Sequence, residues 1–308
     1  MTKLIFATRP SALARWQTRW VINALQAAHA GLVCEEKIIT TQGDVILDRP
    51  LPEIGGKGLF TQELETELLS GAVHCAVHSL KDLPVENPAG LTIGCIPQRA
   101  EVRDALISAS GHTLASLPAG ARVGTSSLRR AAQVLAARPE LTTDSLRGNV
   151  DTRLRKALEG KYDAIILAGA GLTRLGLDKN VSEWLTLDVM LPAPGQGALA
   201  VQCRAADQDT LDLLAALEHA PTRQAVTSER QFLLGLGGGC AVPVAAYASV
   251  NGDAPLISLH GLVVSPDGKK VVRVYGSGAE EITLGRELAK KAISLGADHI
   301  LNLTPHYG

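Results

Sequence analysis

The chain has 308 residues, enough for about two domains of ordinary size or three small ones and too many for a single hydrophobic core. Apolar residues make up 46% and charged residues 20%, proportions that are typical of a globular protein and exclude extended disorder. The net charge is −1 and there are only three Trp, four Tyr and three Phe, so a nucleic-acid partner is not expected.

The sequence also argues against a membrane or secretory destination. No run of about 18 uncharged apolar residues occurs. The short apolar stretch Leu4–Ala7 is followed at once by Arg9 and Pro10, unlike a secretory signal. We therefore expect a cytoplasmic protein with no membrane partner.

The first third of the chain alternates short apolar strands with helices, which predicts a mainly parallel α/β sheet. Within it, Thr41–Lys57 is long, polar and marked by Gly and Pro, as functional loops often are. We expect this segment to act as a lid over a cleft, with Lys57 near bound acids. The predicted strands are 3–8, 34–40, 72–78 and 91–97, and the predicted helices are 12–30 and 59–69.

The same alternation restarts after Arg99–Asp104 and predicts a second, similar α/β unit in tandem. Pro192–Gly197 interrupts it, and the strand-like segment 198–203 is expected to cross back to the first unit. From about Pro221 the pattern changes to that of a small α+β domain. The second unit has strands 105–108, 122–124 and 164–168, segment 141–146 and helices 127–137 and 151–159; the third has helices 222–234 and 282–295 and strands 242–250, 256–265 and 270–276.

Arginine is concentrated in the first two units. Of the 30 basic residues, 19 are Arg, and 15 of these lie at or before Arg204. Because the guanidinium fork matches carboxylate or phosphate, this excess in a near-neutral chain indicates anion recognition. Surface salt bridging is the alternative that composition alone leaves open.

Two predicted helix starts carry groups suited to anions. Gly124–Arg130 places three hydroxyl residues and two consecutive Arg where a strand ends and a helix opens. Leu146–Arg153 repeats the arrangement, with Arg147 at a strand end and Arg153 one turn into a helix. Ordinary capped helices are the alternative, although a cap needs one hydroxyl and the helix dipole disfavours cations in the first turn. These segments predict a site for several carboxylates or phosphates.

A third motif, Val77–Pro84, ends a buried strand with Lys81 and Asp82. Open α/β sheets bind ligands at the carboxyl edge of their strands. Lys81 is therefore expected to meet an anion, and Asp82 to handle a proton or a cationic centre. An exposed salt-bridging turn is the alternative.

The five cysteines are scattered and form no C-x-x-C pair, which predicts neither a disulfide framework nor a zinc ribbon. Four of them lie in apolar segments and are expected to be buried: Cys34, Cys75, Cys95 and Cys203. Cys240 differs, because the Gly-rich turn Gly235–Pro243 would leave its thiol accessible for covalent chemistry. An incidental Cys in a flexible turn is the alternative.

His74 and His78 would share one face of a strand. A structural role is favoured for both, and no metal is expected, because no further clustered ligands are visible.

Seven short motifs, in colinear order over nearly the whole chain, resemble those of the porphobilinogen deaminase (hydroxymethylbilane synthase) family. They are Arg9-Pro-Ser11 with Trp16-Gln17, Gly55-Gly-Lys-Gly-Leu-Phe60, His78-Ser-Leu-Lys-Asp-Leu-Pro84, Gly124-Thr-Ser-Ser-Leu-Arg-Arg130, Leu146-Arg-Gly-Asn149, Pro194-Gly-Gln-Gly197 and Gly238-Gly-Cys-Ala-Val-Pro243.

The resemblance implies an α/β fold of two tandem domains like type II periplasmic binding proteins, followed by a small C-terminal α+β domain. The domains are then 1–98 with 196–216, 103–191, and 221–308, the last with the cysteine loop. A monomer is the family expectation.

The implied activity is stepwise condensation of four porphobilinogen molecules with release of ammonia, then hydrolysis to the linear tetrapyrrole hydroxymethylbilane. The partners are porphobilinogen and linear pyrrole intermediates. A dipyrromethane cofactor is implied, attached to Cys240 by a thioether. Each pyrrole ring carries two carboxylates, which accounts for the excess of Arg.

By the same resemblance, Asp82 matches the catalytic carboxylate. The positions that would hold cofactor acids are Lys81, Thr125, Ser127, Arg129, Arg130 and Arg153. Those that would hold substrate are Arg9, Ser11, Lys57, Arg147, Arg153 and Arg174.

Two other hypotheses remain open from the sequence. A non-catalytic, two-lobed binding protein for a small polyanion would share the first two domains and would not use Cys240. A thiol hydrolase would use Cys240 as nucleophile and His78 as base, although nothing in the sequence pairs them.

Overall fold

The structure is a computed structural model that describes residues 3–45, 59–238, 242–251 and 256–303. Its first sheet consists of β1 (Lys3–Thr8), β2 (Val33–Ile38), β3 (Cys75–Ser79), β4 (Leu91–Cys95) and β10 (Leu199–Arg204). The spatial order is β2-β1-β3-β10-β4. Strand β1 is parallel to β2 and β3, whereas β10 is antiparallel to β3 and β4.

The second sheet consists of β5 (Asp104–Ile107), β6 (Arg122–Gly124), β7 (Thr142–Asp144), β8 (Ala164–Ala168) and β9 (Glu183–Trp184). Its order is β7-β6-β8-β5-β9. Strand β6 is parallel to β7 and β8, and β5 is antiparallel to β8 and β9.

The two sheets share one topology. In the first sheet, β1 lies between β2 and β3, and the antiparallel strand β10 separates β3 from β4. In the second sheet, β6 lies between β7 and β8, and the antiparallel strand β5 separates β8 from β9. Each antiparallel strand follows a segment that crosses between the units, so 198–203 does cross back as predicted. The expectation of mainly parallel sheets is confirmed, since four of the five strands in each sheet run the same way and only the strand that follows the crossing segment, β10 or β5, runs against them. The expected pair of similar α/β units is confirmed.

Helices cover the faces of both sheets. Helix α1 (Ala12–Ala28) begins at Ser11, whose Oγ accepts a hydrogen bond from the Ala14 N–H at 3.3 Å, and it buries Val21 and Leu25 against the first sheet. The remaining helices are α2 (Gln42–Val45), α3 (Gln62–Leu69), α4 (Leu128–Ala137), α5 (Val150–Leu158), α6 (Gly169–Arg174) and α7 (Gln208–Leu214). Short 3₁₀ turns occur at Leu80–Asp82, Asp178–Asn180 and Ala215–Leu217.

The last third is an antiparallel sheet in the order β11-β12-β13, with long helices packed against it. Phe232 is fully buried in this core, and a Cβ on Gly261 would lie 2.4 Å from its ring, so only glycine fits there. The small α+β unit is thus confirmed. Its elements are α8 (Ala220–Gly235), β11 (Val244–Asn251), β12 (Leu256–Val264), β13 (Val271–Gly278), α9 (Glu281–Ser294) and α10 (Ala297–Asn302).

The chain passes between the first two units at Arg99–Asp104 and at Pro192–Gly197, and these two crossing segments contact each other through their backbones. The Ala100 N–H donates to the Gly197 carbonyl at 3.2 Å. Gly197 has φ +85°, and a Cβ there would lie 2.8 Å from the carbonyl oxygens of Ala100 and Glu101. This close contact brings the end of β3, the start of β5 and the Pro194–Gly197 motif to one place. Within the described ranges, no helix is long and apolar enough to cross a membrane.

Candidate active site

The turn after β3 presents Lys81 and Asp82. Leu80 and Leu83 on either side are buried, and the Leu80 N–H donates to the Ala198 carbonyl at 3.0 Å. Between these anchors Asp82 is exposed and Lys81 half-buried. The predicted Lys–Asp turn therefore lies at the carboxyl edge of the first sheet, next to the crossing segments.

Lys81 contacts the second unit through Gln196. Its Nζ donates to Gln196 Oε1 at 3.3 Å, and Gln196 Nε2 donates to Asp104 Oδ1 at 2.9 Å. Burial lowers the pKa of Lys81 to about 8, with Asp82 raising it and Arg130 lowering it. Lys81 thus changes charge close to physiological pH.

This pKa leads to a prediction for binding. Because Lys81 loses its proton as the pH rises through about 8, affinity for a carboxylate-bearing ligand should fall between pH 7 and 9. A bound carboxylate favours the charged lysine, so the fall reflects loss of that attraction. The measurement is the pH dependence of the binding of a small dicarboxylate in the parent and in Lys81→Met. We expect weaker binding without this step in the variant; an identical step in both proteins would contradict the role of Lys81.

The first Arg motif encloses a carboxylate from the chain itself. Arg129 Nη1 donates to Asp104 Oδ2 at 2.8 Å, and Arg130 Nη2 donates to Asp104 Oδ1 at 2.7 Å. Asp104 is fully buried; although burial alone would raise its pKa, Arg129 and Arg130 hold that pKa well below its usual value. Sequence reasoning missed Asp104, which appeared only as the last residue of the segment Arg99–Asp104 that precedes the second unit.

One N–H donor of this motif, on Arg129, has no acceptor among the described residues. This donor, Arg129 Nε, is buried. Ser127 caps α4 by accepting from the Arg130 N–H at 3.5 Å, and Thr125 Oγ1 accepts from the Ser127 N–H at 3.2 Å. Asp104 therefore holds both Arg129 and Arg130. The Nε–H of Arg129 remains available to a further acceptor.

Ser126 joins the two Arg motifs. Its Oγ donates to the Leu146 carbonyl at 2.7 Å and accepts from the Leu146 N–H at 3.0 Å. The structure therefore brings the two motifs together. The half-buried Arg147 follows directly, and it acts on the pKa of Arg153 as a like charge.

Arg153 and Arg174 lack ion-pair partners among the described residues. Arg153 Nε donates to the Gly148 carbonyl at 2.6 Å, and Arg174 Nη2 donates to the Gly197 carbonyl at 2.8 Å. Burial lowers the pKa of each to about 10, and Arg130 and Arg147 lower that of Arg153 further whereas Asp82 raises it. These partly desolvated guanidinium groups are suited to binding carboxylates.

Arg9 and Ser11, also predicted to bind substrate, have contacts within the chain. Arg9 Nε donates to Asp44 Oδ2 at 3.1 Å, and the guanidinium lies 4.2 Å from the Phe60 ring centre. Thr41 Oγ1 donates to the same carboxylate oxygen at 2.8 Å. Asp44 was not singled out from the sequence. The contact links Arg9 to the first residues of the predicted lid, and Ser11 serves as the α1 cap.

Two predicted site residues, Cys240 and Lys57, lie outside the described residues, as does the lid beyond Val45. The other thiols are poor nucleophiles, because burial raises the pKa of Cys95 to about 12 and of Cys203 to about 11 and also raises those of Cys34 and Cys75.

His78 is buried, and this burial lowers its pKa to about 4, so it is neutral at physiological pH. Across the described ranges, no cluster of three or more His, Cys, Asp or Glu side chains could hold a metal ion.

Comparison with known proteins matches two family profiles. One is described as porphobilinogen deaminase, dipyromethane cofactor binding domain, over residues 4–212, and the other as porphobilinogen deaminase, C-terminal domain, over residues 223–294.

Similar whole proteins carry the same name. A porphobilinogen deaminase of Brevibacillus brevis is 50% identical over 98% of this chain and 97% of its own length. Another, from Roseiflexus sp., is 52% identical over 97% of this chain and 98% of its own. Among solved structures, the Bordetella pertussis solute receptor DctP7, described as binding pyroglutamic acid, aligns at a TM-score of 0.40 and 14% identity, covering 75% of this chain and 83% of that one.

Proposed function

The chain belongs to the porphobilinogen deaminase family, and from that premise we propose which of its residues perform the reaction. The enzyme condenses four porphobilinogen molecules, releasing ammonia at each addition, and hydrolyses the product to hydroxymethylbilane. Its cofactor is dipyrromethane. The residue roles below are our assignment.

The described residues fit a ligand that carries several carboxylates. Among the described residues, the partly desolvated guanidinium groups of Arg153 and Arg174 have no carboxylate partner, and the buried donor Arg129 Nε has no acceptor. This is the observation that carries the proposal. Burying such charges without a counter-ion is unfavourable by several kcal/mol, so acidic side chains of a ligand would satisfy them.

We assign Cys240 as the thioether attachment point. The residues that hold the cofactor acids are Lys81, Thr125, Ser127, Arg129, Arg130 and Arg153. When bound, the dipyrromethane supplies a nucleophilic pyrrole α-carbon from which the product chain grows.

Asp82 is the catalytic carboxylate in this proposal. Its exposed position beside Lys81 and Arg153 allows it to accept hydrogen bonds from pyrrole N–H groups and from the substrate amine. Asp82 first keeps the amine protonated so that ammonia can leave. It then remains anionic while positive charge develops on the ring, and it accepts the proton that is lost when the new carbon–carbon bond forms.

We assign substrate carboxylates to Arg9, Ser11, Lys57, Arg147, Arg153 and Arg174. We also propose that Thr41–Lys57 closes over the cleft; the Asp44 contact with Arg9 supports this, because it ties the start of that segment to the site.

We place the enzyme in the cytoplasm as a monomer without nucleic-acid or membrane partners, which accords with its near-neutral charge. We propose the domains 1–98 with 196–216, 103–191, and 221–308. The three separate sheets support this division.

The test of this proposal replaces Arg153 by Met. The loss of a charge-assisted hydrogen bond to a carboxylate should weaken porphobilinogen binding by roughly 10- to 100-fold. Arg155→Met is the matched control, because Arg155 lies on the same helix and pairs with Glu159 at 3.7 Å at the exposed surface. Substrate affinity is measured by equilibrium binding and cofactor content by intact mass. Equal affinities for the two variants would overturn the assignment of Arg153.

A polyanion-binding protein without catalysis is not favoured, because it would have no use for the cofactor of this family. The thiol-hydrolase hypothesis is not favoured either, since its proposed base, His78, has a pKa of only about 4.

A further inference from the structure

Arg230 of helix α8 contacts the turn that carries Asp82. Arg230 is only 8% exposed. Its Nη1 donates to the carbonyls of Leu80 at 3.2 Å and Leu83 at 3.0 Å, and its Nη2 donates to the carbonyl of Pro84. One guanidinium group thus fastens both ends of the turn that holds Lys81 and Asp82.

The turn is also held by the buried side chains of Leu80 and Leu83 and by the hydrogen bond of the Leu80 N–H to the Ala198 carbonyl. Within it, the Leu83 N–H donates to the Leu80 carbonyl at 3.2 Å, closing a single 3₁₀ turn. Pro84 has no N–H with which to continue the turn. A planar fork with several donors can satisfy three carbonyls at fixed angles, which a lysine ammonium cannot do in the same geometry.

The preceding residue, Glu229, fastens the same helix to the crossing segment. Its fully buried carboxylate accepts hydrogen bonds from Arg99 Nη1 at 2.6 Å, the Gly195 N–H at 2.6 Å and the Ala248 N–H at 2.8 Å. Gly195 directly precedes Gln196, the partner of Lys81. Helix α8 is therefore bonded both to the catalytic turn and to the segment that contacts it.

Helix α8 ends at Gly235, five residues before Cys240 in the sequence. We propose that Arg230 is a positioning residue: it fixes the Asp82 turn relative to the helix that leads to the cofactor-bearing cysteine. This inference rests on the proposed function, in which Asp82 is catalytic and Cys240 carries the growing chain. The Asp82 carboxylate then keeps one position against the reacting pyrrole.

The test uses Arg230→Lys, which keeps the charge and loses the fork. Misplacement of a reacting group by about an ångström can reduce a rate 100-fold, so we expect kcat to fall by roughly 10- to 100-fold. KM should stay near the parent value, because Arg153 and Arg174 are unchanged. Arg230→Gln, which also lacks the fork, should change kcat in the same direction.

The matched control is Arg223→Lys. Arg223 lies two turns earlier on the same helix, where it pairs with Glu218 at 2.6 Å and makes no hydrogen bond to the 80–84 turn. Its kcat should remain close to that of the parent. An equal loss of kcat in both lysine variants would indicate general destabilisation and overturn the proposal.

Amide hydrogen exchange gives a readout that is independent of turnover. Exchange at Lys81, Asp82 and Leu83 should be faster in Arg230→Lys than in the parent or in Arg223→Lys, while the thermal midpoints and the intact mass of the cofactor-bearing protein remain similar. Unchanged exchange at these three amides would overturn the proposal.

A double-mutant cycle separates this inference from the role of Asp82. If Arg230 acts through Asp82, Arg230→Lys should cause little further loss of kcat in an Asp82→Asn background. The same loss in both backgrounds would reject the positioning role while leaving the catalytic role of Asp82 intact. Parent-level kcat in Asp82→Asn alone would instead reject the proposed function of Asp82.

Discussion

Asp82→Asn should slow the addition of a single porphobilinogen to the cofactor-loaded enzyme by roughly 10²–10⁴-fold, the usual contribution of a general acid or base. Asparagine retains the shape and some hydrogen bonding of aspartate but neither carries negative charge nor accepts a proton. Because Asp82 is exposed on a turn anchored by Leu80 and Leu83, the substitution should leave the fold intact. The measurement is single-turnover addition, followed by rapid quench and intact mass.

Asp82→Glu provides the conservative comparison. It should retain part of the rate, limited by displacement of the carboxylate by one methylene group, while substrate affinity remains close to the parent value in both variants. If Asp82→Asn adds rings at the parent rate, the carboxylate is a binding or structural group and catalysis lies elsewhere.

Cys240→Ser should abolish the covalent adduct and with it all turnover above background. A serine hydroxyl lacks the nucleophilicity of a thiolate, and the other four thiols have raised pKa values caused by burial, so none of them is suited to replace Cys240. The measurement is the intact mass of the denatured variant together with peptide mapping of the parent.

Cys34→Ser is the control for the loss of a thiol, since Cys34 is the described cysteine that is only partly buried. It should keep the full adduct. An adduct that persisted in Cys240→Ser, or that mapped to Cys34, would show that the attachment site is assigned wrongly.

Much of the fold could be predicted because its signals are local. The alternation of apolar runs and helical periodicity predicted two α/β units and a third α+β unit, and all three are present. The direction of β5 and β10 could not be predicted in this way, because an apolar run has the same pattern in a parallel and an antiparallel strand. Helix α6 and strand β9 were missed because they are only six and two residues long.

The placement of Lys81–Asp82 and Gly124–Arg130 where strands end could be predicted, because the residues of each motif are adjacent in the sequence. The internal partners of those motifs were not predictable. Asp104 lies 25 residues from Arg129, and Arg230 lies about 150 residues from the turn whose carbonyls it binds. Such pairs are set by the packing of separate units, and neither residue stands in a sequence pattern that indicates its partner.

The proposed covalent priming and stepwise addition of pyrrole units are tested most directly by the intact mass of the denatured parent protein before and after brief exposure to porphobilinogen. We predict a covalent adduct of two pyrrole units beforehand and then a ladder of species that differ by one pyrrole unit each, with ammonia released in proportion to the units added. An unmodified chain in both samples, with porphobilinogen bound only reversibly, would contradict the account and would instead support a non-catalytic polyanion-binding protein.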